Sequence, residues 1–217
     1  MCHMAASALM QNKNVLYITL EMSEERIAER IDANVLNIPM KELPDMSKKD
    51  YGKKIGRLKN KTKGKLIIKE YPTASAHVGH FRHVLQELSI KKDFQPDIIF
   101  VDYLNICASQ RIRPGAGANS YTLVKSIAEE LRGLAVENDL PIVSATQTTR
   151  SGYGSTDIGL EDTSESFGLP ATADLMFALI TSEELEDLDQ LVVKQLKNRY
   201  NDPTIFKRFV IGIDRSR

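Results

Sequence analysis

The stretch Pro96-Asp97-Ile98-Ile99-Phe100-Val101-Asp102 most constrains what this chain can fold into. Four large apolar residues run without a break and end at a carboxylate. A strand covered on both faces reads as a continuous apolar run rather than an alternation, and such strands belong to the middle of parallel α/β sheets. The carboxylate then stands at the C-terminal edge, where open sheets of this kind bind their ligands. Taken alone, the same pattern also describes an aspartate that only caps the next turn.

Further stretches read as strands and helices in alternation. Residues 1–11 carry a short apolar helix, and Val15–Leu20 is a second buried-type strand that ends at Glu21. Ser23 is placed to cap a helix over 24–36, whose Ile27, Ile31 and Leu36 share a face. Residues 41–65 are rich in Lys and Arg with poor apolar spacing, which predicts a solvated helix and loop. Leu66-Ile67-Ile68 is a short strand, and 77–91 is a helix leading back to the strand at 98–103. Over 120–137, Tyr121, Val124, Ile127, Leu131 and Leu134 recur at steps of three and four, giving one apolar stripe. Pro141–Thr146 is the next strand, with Gln147 at its end. Two polar loops stand out, 107–119 and 149–163, both marked by glycine. A short helix near 164–170 precedes a strand over Leu175–Ile180, and the acidic run 183–189 is a solvated turn or helix. Leu191–Leu196 and Phe206–Ile211 read as a hairpin that closes the sheet. With no internal repeat or linker, the pattern predicts one α/β domain over 1–217. It has three layers, with a mostly parallel central sheet, helices on both faces and a C-terminal hairpin.

Composition narrows the function classes. Lys and Arg (29) balance Asp and Glu (29), so no global basic field draws the chain to nucleic acid; such binding rests on local basic loops. Cys2 and Cys107 share no metal-type spacing and suit a reducing cytosol. No apolar run approaches the ~18–20 residues of a membrane span. His77, His80 and His83 predict no metal site: on a helix, 77 and 83 lie on different faces, and zinc sites need partners with closed geometry.

Three strands end in Glu21, Asp102 and Gln147. In a parallel sheet these ends share one edge. One carboxylate can hold Mg²⁺, a second can deprotonate water, and an amide can sense a terminal phosphate. Each also has a plainer reading: Glu21 neutralising Arg26 or Arg30, Gln147 satisfying a turn. Lys197 and Arg199, pointing the same way on a strand, could be a charged exposed edge. Leu20-Glu21-Met22-Ser23, Phe100-Val101-Asp102-Tyr103-Leu104, Ser144-Ala145-Thr146-Gln147 and Lys197-Asn198-Arg199-Tyr200-Asn201-Asp202-Pro203 resemble segments of DnaB-type replicative helicases, whose motor has the RecA-like ATPase fold. Ile31-Asp32-Ala33-Asn34, Ser126–Arg132 and Gly168–Asp174 are similar, more narrowly, to the replicative helicases of T-even-like bacteriophages. The resemblance covers nearly the whole chain.

The resemblance implies an ATP-dependent DNA helicase motor that uses ATP and Mg²⁺, translocates on single-stranded DNA and unwinds duplex at the fork. It places that motor in the cytoplasm of a phage-infected bacterial cell, away from membranes. Glu21 becomes the general base for the attacking water, Asp102 holds Mg²⁺ through water, and Gln147 couples the γ-phosphate to the loop after it. Lys197 and Arg199 reach the nucleotide of a neighbouring subunit in a hexameric ring. A trans-acting arginine is worth about 10³–10⁵ in rate in other phosphate-hydrolysing systems. Arg111, Arg113 and Arg150 are the candidates for DNA phosphates, with Gly115, Gly117, Gly152 and Gly154 letting backbone amides approach. Primase and other replisome proteins are the implied further partners. One departure is clear. The family carries a Gly-x-x-x-x-Gly-Lys-Ser/Thr loop whose amides and lysine hold the phosphates. Here Gly52-Lys53 and Gly64-Lys65 lack the upstream glycine and the following hydroxyl. Residues 1–11 correspond to the helix after that loop. The expectation is a motor domain without its phosphate-loop strand and N-terminal assembly domain, inactive by itself. A RecA- or RadA-type recombination ATPase and a non-catalytic RecA-fold binding module stay open as alternatives.

Overall fold

The computed structural model describes residues 1–113, 119–148, 159–160, 168–202 and 204–216. Four apolar strands make a parallel sheet: β1 (Val15–Thr19), β2 (Leu66–Glu70), β3 (Ile98–Asp102) and β4 (Ile142–Ser144), in the order β2-β1-β3-β4. The register sets Tyr17 beside Phe100 and Thr19 beside Asp102. β1 is buried along its whole length and β3 over its middle three residues. Side chains alternate between the two faces of a strand. Val15, Tyr17 and Phe100 therefore face one layer, formed by α1 (Cys2–Met10) and α2 (Glu24–Leu36) through Ala5, Leu9, Ile27 and Ile31. Leu16, Ile18, Ile99 and Val101 face the other, where α4 (Val78–Lys92) and α5 (Ser120–Asn138) supply Phe81, Leu88, Ile127 and Leu134. The three-layer α/β expectation holds.

Local sequence sets the boundaries. Ser23 Oγ accepts from the Arg26 N–H at the start of α2, and Asn37 ends it in the left-handed conformation. α3 (Lys48–Lys59), in the basic stretch, buries none of its residues. It is tied to α2 where Tyr51 Oη donates to Asp32 at 2.6 Å. α4 is capped by histidines. The His77 ring accepts from the Gly79 N–H, and the His80 ring accepts from the His77 N–H. Two of the three clustered histidines thus serve a helix start.

The expected C-terminal hairpin forms, but among the described residues it does not join the parallel sheet. α6 (Gly168–Thr172) leads into β5 (Leu175–Ile180), α7 (Glu183–Asp187), β6 (Gln190–Asn198) and β7 (Arg208–Gly212). These strands form a separate antiparallel sheet, β5-β6-β7. The connection 181–189 is shorter than the roughly dozen residues a parallel crossover needs, so β6 turns back on β5. Among the described residues, β4 and β5 each keep one unpaired edge. The helix expected near 164–170 begins at Gly168; residues 164–167 and most of the loop 149–163 lie outside the described residues.

Candidate functional site

The C-terminal ends of β1, β3 and β4 lie side by side, with β3 in the middle. Leu20 N–H donates to Asp102 O (2.8 Å) and Leu104 N–H to Ala145 O (3.3 Å), so the chains stay together past the last ladder residues. The strand before Glu21 ends earlier than its apolar run suggests. Thr19 Oγ1 donates to Met22 O and accepts from Met22 N–H, which turns the chain and leaves Glu21 exposed beyond the strand. Glu21 makes no ion pair among the described residues; Arg26 pairs with Glu29 instead, at 2.8 Å. The charge-neutralising alternative for Glu21 is not realised.

Asp102 is held from within the sheet. Tyr17, fully buried, donates from Oη to Asp102 Oδ2 at 2.7 Å. Its ring stacks on Phe100 with centroids 5.8 Å apart. Burial first, and then the bond to Asp102, push the Tyr17 phenol far above its ordinary pKa, so it stays a donor. Cys2 Sγ lies 3.7 Å from the same hydroxyl. Asp102 Oδ1 has no hydrogen-bond partner among the described residues. Hard cations take oxygen donors. A carboxylate with one oxygen pinned and one open therefore has an oxygen that could meet Mg²⁺, directly or through water. No group of three or more His, Cys, Asp or Glu among the described residues could hold a metal unaided. Gln147 is exposed, and its Nε2 donates to Tyr103 Oη (3.2 Å), one residue past Asp102. Glu21, Asp102 and Gln147 thus come to one edge.

Lys197 and Arg199 sit apart from it, on and just past β6. Lys197 Nζ donates to Pro170 O and Ala171 O (2.6 and 3.1 Å), and Arg199 donates to Ala171 O at 3.0 Å. They satisfy the last carbonyls of α6, as cations at helix C-termini do. Arg199 also meets Asp174 Oδ1 at 3.0 Å, an oxygen shared with Arg132 of α5 at 3.3 Å. Burial, followed by the neighbouring Arg199, lowers the Lys197 pKa. In this structure both cations serve their own chain.

Arg111 is similarly engaged, with Glu129 at 3.0 Å and Glu130 at 3.5 Å. Buried Glu130 collects Ser109 Oγ (2.6 Å), the Gln110 N–H (2.8 Å) and Ser126 Oγ (3.2 Å), so the root of the 107–119 loop is fastened to α5. Burial pushes the Glu130 pKa up, but these donors together outweigh it and the net shift is downward. Arg113 is exposed and without a partner among the described residues. Arg150 and the loop glycines Gly115, Gly117, Gly152 and Gly154 lie outside the described residues. Sequence reading missed Tyr17, Glu130 and Asp174. Tyr17 left a signal: a phenol in a strand of the buried type must find a partner for its hydroxyl.

Residues 1–207 match the DnaB-like helicase C terminal domain family. The chain is 46% identical over 218 residues to the DnaB-like replicative helicase of Enterobacteria phage T4, covering 99% of this chain and 46% of that protein. It is 27% identical over 186 residues to the replicative DNA helicase DnaB of Helicobacter pylori, covering 82% of this chain and 36% of that protein. Among solved structures, a DnaB-like replicative helicase described with its interactions with primase superposes with a TM-score of 0.71 at 19% identity, covering 99% of this chain and 53% of that one. A second solved structure, described as an ATPase domain, superposes with a TM-score of 0.70 at 19% identity, covering 97% of this chain and 75% of that one. The chain spans about half the length of its phage T4 relative or less. The matched residues include the edge that carries Glu21, Asp102 and Gln147, and on this basis the chain belongs to the family of DnaB-like helicase C-terminal domains.

Proposed function

We propose that this chain is the ATP-driven motor of a ring-forming replicative helicase that tracks single-stranded DNA and opens duplex at the fork of an infected bacterial cell. The observation that carries the reading is the sheet edge where adjacent strands present Glu21, Asp102 and Gln147. Asp102 holds Mg²⁺, which when bound offsets the phosphate charge during hydrolysis. Glu21 takes the proton of the attacking water on a carboxylate oxygen. Gln147 exchanges its bond to Tyr103 for a phosphate oxygen and passes that change to the chain after it. Arg113 and Arg150 meet DNA phosphates, while Arg111 fastens its own loop. Lys197 and Arg199 leave the α6 carbonyls and Asp174 to reach a neighbouring subunit's nucleotide. A ring of six copies and a primase are the assembly partners of this reading; the similar solved helicase was described with primase.

A phosphate-loop strand would need an open sheet edge to pair with. β4 and β5 each offer unpaired backbone groups, and an edge of that kind takes a further strand. The 217 residues alone are expected to hydrolyse ATP no faster than background. Joined to a phosphate-loop segment they hydrolyse it with stimulation by single-stranded DNA. There Glu21→Gln lowers kcat by about 10²–10⁴ while nucleotide still binds. Turnover by the unjoined chain, or an unimpaired Glu21→Gln, overturns the assignment.

A further inference from the structure

We propose that Tyr17 is a positioning residue for nucleotide hydrolysis: its buried hydroxyl fixes Oδ2 of Asp102 and leaves Oδ1 as the oxygen offered to the metal. The inference rests on the reading of Asp102 as the Mg²⁺-holding carboxylate. It begins from the register. Tyr17 pairs with Phe100, and Asp102 lies two residues further along the same face of β3. A tyrosine ring reaches such a diagonal neighbour, whereas the aliphatic residues around it do not. The ring itself cannot wander. It is fully buried, stacked on Phe100, and enclosed by the layer that holds Ala5, Leu9, Ile27 and Ile31.

The direction of each hydrogen bond follows from the donors available. A phenol has one proton, and Tyr17 gives it to the carboxylate. Cys2 must then be the donor in its contact with the Tyr17 oxygen. The result is a chain of donors from Cys2 on α1, through Tyr17 on β1, to Asp102 on β3. Leu20, the neighbouring main-chain donor, bonds the backbone carbonyl of Asp102 and not its side chain. Among the described residues, Tyr17 alone therefore fixes the carboxylate's rotation. Groups that orient a metal ligand from behind are worth about 10–100-fold in metal affinity where they have been removed.

The test uses the 217-residue chain and Mn²⁺·ATP as a paramagnetic probe, read by broadening of amide resonances. In the wild type, broadening is confined to the strand ends at Glu21, Asp102 and Gln147, at weak occupancy. Tyr17→Phe keeps the ring and its packing. It raises the probe concentration for half-broadening about tenfold, with the melting temperature little changed. Asp102→Asn abolishes the local effect. Cys2→Ala leaves the Tyr17–Asp102 bond in place and titrates as wild type. A crystal structure of Tyr17→Phe shows Asp102 in a changed rotamer. The inference is overturned if Tyr17→Phe titrates as wild type, or keeps the Asp102 rotamer. It is also overturned if Cys2→Ala loses as much as Tyr17→Phe, because the effect would then be repacking of α1. If the wild type shows no local broadening at all, the metal reading of Asp102 fails first and takes this inference with it.

Discussion

The two sheets are built from comparably apolar strands and are covered very differently. β3 carries four apolar residues in a row, and helices close both of its faces. β5 carries six, Leu175 to Ile180, yet only Ala178 and Ile180 are buried, while Leu175, Phe177 and Leu179 are 50%, 47% and 67% exposed. A continuous apolar run asks for cover on both faces. In the antiparallel sheet one face has a small cluster, completed by Val192 and Leu196. On the other face Leu175, Phe177 and Leu179 stay exposed, although their β6 neighbours Val193 and Gln195 are buried. The contrast separates what this chain satisfies by itself from what it does not. The edge with Glu21, Asp102 and Gln147 belongs to the self-sufficient sheet. Lys197 lies in, and Arg199 just past, the sheet that exposes Leu175, Phe177 and Leu179.

Truncating one aromatic in each sheet is the most direct way to break this contrast. Phe100→Ala empties a fully buried position stacked on Tyr17, and is expected to lower stability by about 3–5 kcal/mol. Phe177→Ala, at an exposed position of β5, is expected to cost less than about 1 kcal/mol. Urea denaturation followed by circular dichroism gives both values. A loss at Phe177 as large as that at Phe100 would mean that the outer face of β5 is covered in solution.

Much of this is legible in the chain because burial writes itself into local pattern. Ile98–Val101 and Val15–Thr19 announce central strands, the stripe of Val124, Ile127, Leu131 and Leu134 announces α5, and Ser23 announces the start of α2. The polar strand ends at Glu21, Asp102 and Gln147 follow from those strands. Strand pairing is less visible. An apolar run such as Leu175–Ile180 does not state its partner: the hairpin of β6 and β7 forms as local pattern predicts, but among the described residues it pairs with β5 and not with the parallel sheet. Long-range polar contacts are invisible for the same reason. Nothing local in Glu130 or Asp174 says that one gathers Ser109 and Gln110 or that the other bridges Arg132 and Arg199. Such contacts depend on three-dimensional proximity between residues far apart in the chain.

Glu130 sharpens the comparison within the better-packed part. Its buried carboxylate accepts from two hydroxyls and two backbone N–H groups, which anchor the 107–119 loop to α5. Glu130→Gln removes the charge behind those bonds and is expected to cost about 2 kcal/mol at neutral pH. The folded-state pKa lies below the ordinary 4.5. The carboxylate's contribution is therefore complete above 4.5 and fades as pH falls through the lower folded-state value. The gap between wild type and Glu130→Gln in urea midpoint should narrow on acidification below that range. A gap that stays constant with pH would assign the stabilisation to shape and not to charge.

A small effect, comparable to that of Phe177→Ala, is expected at the seam between the two sheets. Among the described residues, Asp174 is the anion that Arg132 of α5 and Arg199 after β6 share, at 3.3 and 3.0 Å, and all three side chains are about one-third exposed. Water competes for pairs of that kind, and single exposed pairs contribute about 0–1 kcal/mol. Asp174→Asn keeps the shape and removes the charge, so a loss of about 1 kcal/mol or less is expected, shrinking further at high salt as screening grows. Hydrogen exchange at the amides of β6 reads the same change locally, because Arg199 keeps its bond to Ala171 O but loses its ion pair. A seam held this lightly lets Arg199 exchange an internal anion for an external one at little cost, as its proposed role across a subunit boundary requires. If the loss instead exceeds that of Glu130→Gln and persists at high salt, the antiparallel sheet is locked to α5 as firmly as the loop root is. Arg199 is then a structural tie, and the functional division between the two sheets disappears.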